Sequence, residues 1–148
     1  MITLELPQTV EENLMLGRWV EQRVPNSSFK DFVTMAFFSD TEGILAVVLY
    51  HNYRGTDIEV VFAADSPKWA QRDLLGMVIN YPFGIGCHRM TALATKQNKK
   101  VRKMLTQMGF KQEGKLRRAA KDGGDFFIYG LLPGEFRLAR KPPFRKVA

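Results

Sequence analysis

Asn98-Lys99-Lys100-Val101-Arg102-Lys103-Met104-Leu105-Thr106-Gln107-Met108-Gly109-Phe110-Lys111-Gln112-Glu113-Gly114-Lys115-Leu116-Arg117 is the stretch whose reading decides the fold. Asparagine is a favoured helix N-cap, because its side-chain oxygen accepts from a first-turn N–H that has no partner within the helix. The spacing predicts a short basic helix from Asn98 through Met108. Gly109 follows where helices commonly end in a left-handed residue, a conformation glycine adopts without a Cβ penalty. Phe110 to Ala120 then reads as an extended, very basic segment, Asp122-Gly123-Gly124 as a hairpin turn, and Asp125 to Leu132 as the last strand.

Outward from this stretch, His88 to Thr95 reads as the strand that feeds the helix. Before it, Ser66 and Pro67 predict a helix start as N-cap and first helical residue. Leu74, Leu75, Val78 and Ile79 supply that helix's buried face, and Pro82 and Gly84 end it. Phe32 to Phe38, Ile44 to Tyr50 and Ile58 to Ala64 are rich in β-branched and aromatic residues and are separated by turns at Asp40–Gly43 and Asn52–Gly55. They read as three consecutive antiparallel strands. Ile2 to Leu6 is a short strand, followed by a helix capped by Thr9, with Glu11 and Glu12 near its positive end. Leu14, Met15, Trp19 and Val20 give that helix an apolar face, and Pro25-Asn26-Ser27-Ser28 breaks it. The order is β, α, three strands, α, β, α and a final hairpin, with no internal repeat. A single domain is expected over 1–133, followed by a basic irregular tail over 134–148, where Pro142-Pro143 denies helix.

A chain of 148 residues is one domain's worth and buries roughly 68–70% of its unfolded surface without a disulfide or metal staple. Hydrophobic residues at 45% and charged residues at 25% are an ordinary globular balance, which sets aside long disorder. No apolar run approaches the ~18 residues of a membrane span. The opening Met1-Ile2-Thr3-Leu4-Glu5 lacks the regions of a secretory leader, so a soluble, cytoplasmic protein is expected. With one cysteine, Cys87, and two histidines, no metal site is expected. Charge is more informative. Residues 1–65 carry a net −6 and the remainder +13. Such polarity points to a polyanionic ligand for the second half, or to a solvated basic face.

Several residues now fall into one pattern. Asn98 and Gly109-Phe110 stand eleven residues apart, then come Phe110-Lys111-Gln112-Glu113-Gly114-Lys115-Leu116-Arg117, Asp122-Gly123, and Asp125-Phe126-Phe127-Ile128-Tyr129-Gly130. Upstream, Glu59 is followed by Asp65 and Trp69. In these residues the sequence resembles the GCN5-related N-acetyltransferase superfamily, and within it the branch that acetylates ribosomal-protein N-termini. The resemblance runs from about Ile44 to Leu132.

The resemblance implies an α/β (α+β) fold: a mixed, mostly antiparallel central sheet of about seven strands, helices on both faces, and a V-shaped splay between strands four and five. It implies acetyl-CoA as co-substrate, its pantetheine arm lying on the backbone of Val61, Phe62, Ala63 and Ala64. The pyrophosphate would sit at the next helix start, Trp69, Ala70, Gln71, Arg72 and Asp73. Asn98 would bond the arm from the opposite wall, and Lys103 would meet the phosphates. Glu59 takes the place of a general base, for which burial would raise its pKa. The chain departs from the family in two places. Neither phosphate-loop glycine is present in Trp69-Ala70-Gln71-Arg72-Asp73-Leu74, and Leu105 stands where many members carry a proton-donating tyrosine, leaving Tyr129, Tyr81 or water for that role.

Each residue also has a plainer reading. Glu59 also reads as a salt-bridged or solvent-facing strand residue, Asn98 as a helix cap, and Trp69 as a staple between helix and sheet. Cys87, Met104 and Met108 read as core. The basic residues from Lys111 to Lys121 flank an acceptor cleft, solvate an edge strand or bind nucleic acid. Two functions follow: an acyl-CoA-dependent N-acyltransferase in which the amine attacks directly in a ternary complex, or a GNAT-fold binding module that engages a protein or RNA through its basic half. The acceptor amine and a homodimer are left open, and no membrane partner is expected.

Overall fold

The computed structural model describes residues 1–24 and 27–137, so Pro25, Asn26 and the basic tail residues Arg140, Lys141, Arg145 and Lys146 lie outside the described residues. The chain runs β1 (Ile2–Glu5), α1 (Val10–Arg23), β2 (Phe32–Ser39), β3 (Gly43–His51), β4 (Asp57–Ala64), a 3₁₀ turn (Pro67–Trp69), α2 (Arg72–Gly84), β5 (Arg89–Thr95), α3 (Lys99–Met108), β6 (Lys111–Leu116) and β7 (Phe126–Leu131). The strands form one seven-stranded sheet in the order β1-β2-β3-β4-β5-β7-β6. Every neighbouring pair is antiparallel except β4 and β5, which are parallel. Element order, mixed sheet and helices on both faces are those expected from the sequence.

Strand alternation divides the apolar residues between two cores. Val48, Tyr50, Ile58, Val60 and Phe62 turn to the face that α2 and α3 cover, meeting Leu75, Val78, Leu105 and Met108. Val47, Leu49 and Ala63 turn to the opposite face, where α1 lays Leu16 and Val20 on them. β3 is buried on both sides from Leu45 to Tyr50, which explains its unbroken apolar run. The larger core also takes in Cys87 and Phe136. Arg137 N–H donates to Met108 O at 3.0 Å, so the chain stays with the body past Pro133, further than composition suggests. No helix among the described residues is long and apolar enough to cross a membrane.

Helix ends follow local chemistry. Thr9 Oγ1 accepts from Glu12 N–H at 3.1 Å, Asn98 Oδ1 accepts from Val101 N–H at 3.4 Å, and Gly109 ends α3 at φ 110°. Three boundaries differ from the sequence reading. Ser66 Oγ does cap, accepting from Lys68 N–H at 3.2 Å, but Pro67 opens only the 3₁₀ turn, and α2 begins at Arg72. β6 stops at Leu116 because Arg118 takes a left-handed φ of 58° and its N–H donates to Asp125 Oδ1 at 2.8 Å. Pro82 does not end α2 but lies inside it. Proline has no N–H to give the carbonyl four residues back, here that of Val78. Tyr50 Oη reaches from β3 and donates to Val78 O at 2.7 Å. Burial, then the neighbouring Tyr81, push the Tyr50 phenol well above its ordinary pKa, so it stays a neutral donor.

Tyr50→Phe leaves the Val78 carbonyl buried without that donor, and should lower unfolding stability by about 1–3 kcal/mol in urea denaturation. A loss within error would mean that another group supplies the hydrogen bond.

Candidate active site

β4 and β5 pair at only three positions, Asp57↔Arg89, Ile58↔Met90 and Glu59↔Thr91. Past this point β4 keeps to β3 as far as Ala64, while β5 keeps to β7 as far as Thr95, and the two halves of the sheet part. The direction of the backbone groups is fixed by alternation. Asp65 N–H donates to Leu45 O on the β3 side, whereas Thr56 O accepts from His88 N–H on the β5 side. Odd-numbered residues of β4 therefore bond to β3, and past the Glu59↔Thr91 pair Phe62 and Ala64 turn their N–H and C=O groups into the gap. Among the described residues no strand pairs with them there.

The gap is a cleft of about 620 Å³. Phe62, Ala63 and Ala64 of β4, with Trp69 and Ala70 beyond it, form one wall. Asn98, Lys100, Lys103, Met104 and Gln107 of α3 form the other. Of the residues singled out in the sequence, Phe62, Ala63, Ala64, Trp69, Ala70, Asn98 and Lys103 are thus brought together. Val61 is not: its side chain packs in the α1 core. Gln71, Arg72 and Asp73 form the start of α2 and do not line the cleft. Leu75 N–H makes the bond to Gln71 O at 2.8 Å, which leaves the N–H groups of Arg72, Asp73 and Leu74 ahead of the first such bond. That end favours anions, though Asp73 sits in the same turn and opposes them. Trp69, 2% exposed, also packs on Phe37 and Phe62, so it is a staple as well as a wall.

The rim carries a clamp that sequence reasoning missed. Arg23, in the last turn of α1, donates to Asp65 through Nε at 2.8 Å and Nη2 at 3.0 Å, with its guanidinium over the Trp19 ring. The Arg23 hydrogen bond holds the Asp65 carboxyl below its ordinary pKa. Arg23 and Asp65 are far apart in sequence and carry no shared pattern. Met104 reads as core in the sequence, yet it lines the cleft. Lys100, Lys103, Met104 and Gln107 recur at helical spacing, and that spacing is the signal that places Met104 with them.

Glu59 sits at the last paired position of β4, on the α1 face, and does not line the cleft. Its Oε2 is 3.1 Å from His51 Nε2, and Phe29 stands edge-on to that imidazole. Burial works to raise the Glu59 pKa, but the His51 hydrogen bond and charge, the Asn52 hydrogen bond and the Arg54 charge outweigh it. The net direction is down, which corrects the raised pKa expected from sequence, and Glu59 has His51 as its partner. Leu105 is wholly buried under α3. Tyr129 Oη accepts from Arg102 Nε at 3.1 Å, and Tyr81 packs against Tyr50. No tyrosine among the described residues lines the cleft.

A polar staple lies at the base of the splay. Thr91 Oγ1 donates to Asp57 Oδ1 at 2.8 Å and accepts from Arg89 Nε at 3.1 Å. Arg89 then reaches across β7 to Glu113 on β6, at 3.0 and 3.4 Å. Gly130 on β7 makes room: a Cβ there would overlap Glu113 Oε2 and Arg89 Nη2.

No protein-family model matches the sequence, and no curated protein matches it. Solved structures do. The ribosomal-protein-S5-alanine acetyltransferase from Vibrio fischeri is 17% identical with a TM-score of 0.66, over 95% of this chain and 96% of that one. A mutant form of the spermidine/spermine N-acetyltransferase SpeG from Vibrio cholerae is 14% identical with a TM-score of 0.71, over 95% and 100%. A GNAT-family acetyltransferase from Streptococcus pneumoniae is 14% identical with a TM-score of 0.68, over 90% and 100%. These likenesses show the fold.

Gly130→Ala should break the Arg89–Glu113 bridge and lower Tm by about 3–8 °C, whereas Gly114→Ala, whose Cβ would meet only Ile128 at 3.5 Å, should cost less. Adding Glu113→Gln, which removes the other half of the same bridge, to Gly130→Ala should produce little further loss in a double-mutant cycle. Fully additive losses would mean the two positions act separately.

Proposed function

The chain has the fold of the GCN5-related N-acetyltransferases, and from that premise we propose that it is an acyl-CoA-dependent N-acyltransferase, moving an acetyl group to an amine within a ternary complex. The observation that carries the proposal is the unpaired edge of β4, faced by Asn98 across a cleft of about 620 Å³. An extended arm bearing amide groups fits such an edge as an added strand would. The backbone of Phe62 and Ala64 would hold the pantetheine arm of acetyl-CoA. Asn98 uses Oδ1 on its own helix and has Nδ2 to donate across the cleft. The ammonium groups of Lys100 and Lys103, which line the cleft, would take the phosphates, with the positive end of α2 behind its wall adding to their attraction. Acetyl-CoA supplies the activated acyl group, which passes to the amine.

The chain's own residues orient and exclude water more than they exchange protons. Phe62, Trp69 and Met104 line the cleft with apolar surface. The backbone donors of β4 polarise an acyl carbonyl. His51 and Glu59, at the base of the splay, take the proton from the amine, and water serves the leaving thiolate in place of a tyrosine. Because Glu59 is held ionised it accepts a proton only weakly, which puts the weight of rate enhancement on orientation. The open cleft favours this reading over a binding module without catalysis.

In calorimetry, Asn98→Ala should weaken acetyl-CoA binding about fivefold or more, with little dependence on salt. Lys99→Ala should weaken it less, and the effect should fade at high ionic strength. Equal losses at both salt concentrations would contradict the placement of the arm.

Glu59→Gln should bind acetyl-CoA as the native protein does and lose turnover by about 10²-fold near neutral pH. Part of the loss should return at high pH, where the free amine is abundant. Native turnover at every pH would remove Glu59 from the reaction.

A further inference from the structure

α1 packs chiefly on β2, β3 and β4, and α2 and α3 lie on the opposite face. α1 ends at Arg23 and β2 begins at Phe32, with no further helix among the described residues between them. Among the described residues, no helix therefore covers the α1 face of β5, β7 and β6. On that face Leu93 pairs with Ile128, and Phe126 with Leu116. These four apolar residues belong to neither core, and Leu116 is 41% exposed. The strip they make begins beside the splay, since Leu93 is the second residue past Thr91, where β5 leaves β4. It ends at the turn after β6, where Leu116 shares a surface hollow with Arg117 and Arg118.

Among the described residues, positive charge at that end is only partly compensated, by Asp125, which lines the same hollow. Lys111 bonds Glu135 at 2.9 Å, Arg89 is engaged by Glu113 and Asp57, and Lys115 is 3.9 Å from Asp125. Arg117, Arg118 and Lys121 form no ion pair among the described residues. We propose that this strip seats the acyl acceptor, and that the acceptor is an extended polypeptide with acidic residues a few positions from its reacting amino terminus. The proposal rests on the acyltransferase reading. An apolar floor with a cationic end complements apolar and acidic side chains together. A polyamine would be repelled by that end, and a nucleic acid would find a single aromatic ring, Phe126, instead of a stacking platform.

Geometry sets the spacing. From Leu93 to β6 is two strand spacings, ~10 Å, and Arg117 lies three residues further along β6 than Gly114, the partner of Ile128, ~10 Å more. The diagonal of ~14 Å is about four residues of extended chain. Acidic residues at about positions three to five should count most.

The test uses the native protein and synthetic peptides that share their first two residues and differ in carrying Asp or Lys at positions three to five, with spermidine and an RNA oligonucleotide beside them. With acetyl-CoA present, the acidic peptide should show KM about tenfold lower than the basic one, an advantage that shrinks with salt. Arg117→Glu with Arg118→Glu should raise KM for the acidic peptide about tenfold at unchanged kcat and acetyl-CoA affinity. Fluorescence anisotropy of the same labelled peptides reads docking without turnover. Acidic-peptide binding that is lost in the charge-reversed protein, with no acetylation of any peptide, would uphold the strip and overturn the acyltransferase reading. Preference for spermidine or the basic peptide, displacement by RNA with no peptide preference, or indifference to charge reversal would overturn the strip.

Discussion

The structure turns on a parallel pairing that stops after three positions. Because β4 and β5 meet only from Asp57 to Glu59, the sheet stays whole at one end and opens at the other. A buried backbone edge is costly unless its groups find partners, so an edge left open inside a fold is a place made for an extended ligand. Where the two strands do meet, their backbone pairing is joined by the side-chain staple from Asp57 through Thr91 and Arg89 to Glu113. Thr91 is buried, and its hydroxyl both donates and accepts, so the network leaves little unsatisfied.

The same splay needs its two rims fixed. Tyr50 ties α2 to β3 by completing the carbonyl that Pro82 leaves without a donor. That sets the position of the helix whose first turn lies behind the cleft. Arg23 ties the end of α1 to Asp65, at the last turn of β4's path. One contact is buried, and its loss should cost about 1–3 kcal/mol. The other is half-exposed and screened, so its value is geometric more than energetic.

Much of this was legible in the sequence, for local reasons. Thr9, Asn98 and Gly109 announce helix ends through capping chemistry that neighbouring residues complete by themselves. The three central strands show in their β-branched runs and turns. Pro82 misled because its remedy, Tyr50, comes from another element. Ser66-Pro67 misled because a good cap can open a single 3₁₀ turn as readily as a helix. At the site, the resemblance pointed to Phe62 to Ala64 and Asn98, which line the cleft, whereas Glu59's ionised state depends on His51 across a strand pair, and no local spacing reveals it. The motif residues Glu113 and Gly130 have a physical link that the sequence does not disclose: Gly130 is small because Arg89 must pass over it to reach Glu113.

Amide hydrogen exchange, followed by NMR with and without acetyl-CoA, tests the central claim most directly. The account predicts that Phe62 and Ala64, whose N–H groups face the gap, become protected when acetyl-CoA binds. Val61 and Ala63, already bonded to β3, should be protected in both states. Binding that leaves Phe62 and Ala64 unchanged, or that slows exchange evenly along β4, would contradict the open edge as the seat of the ligand.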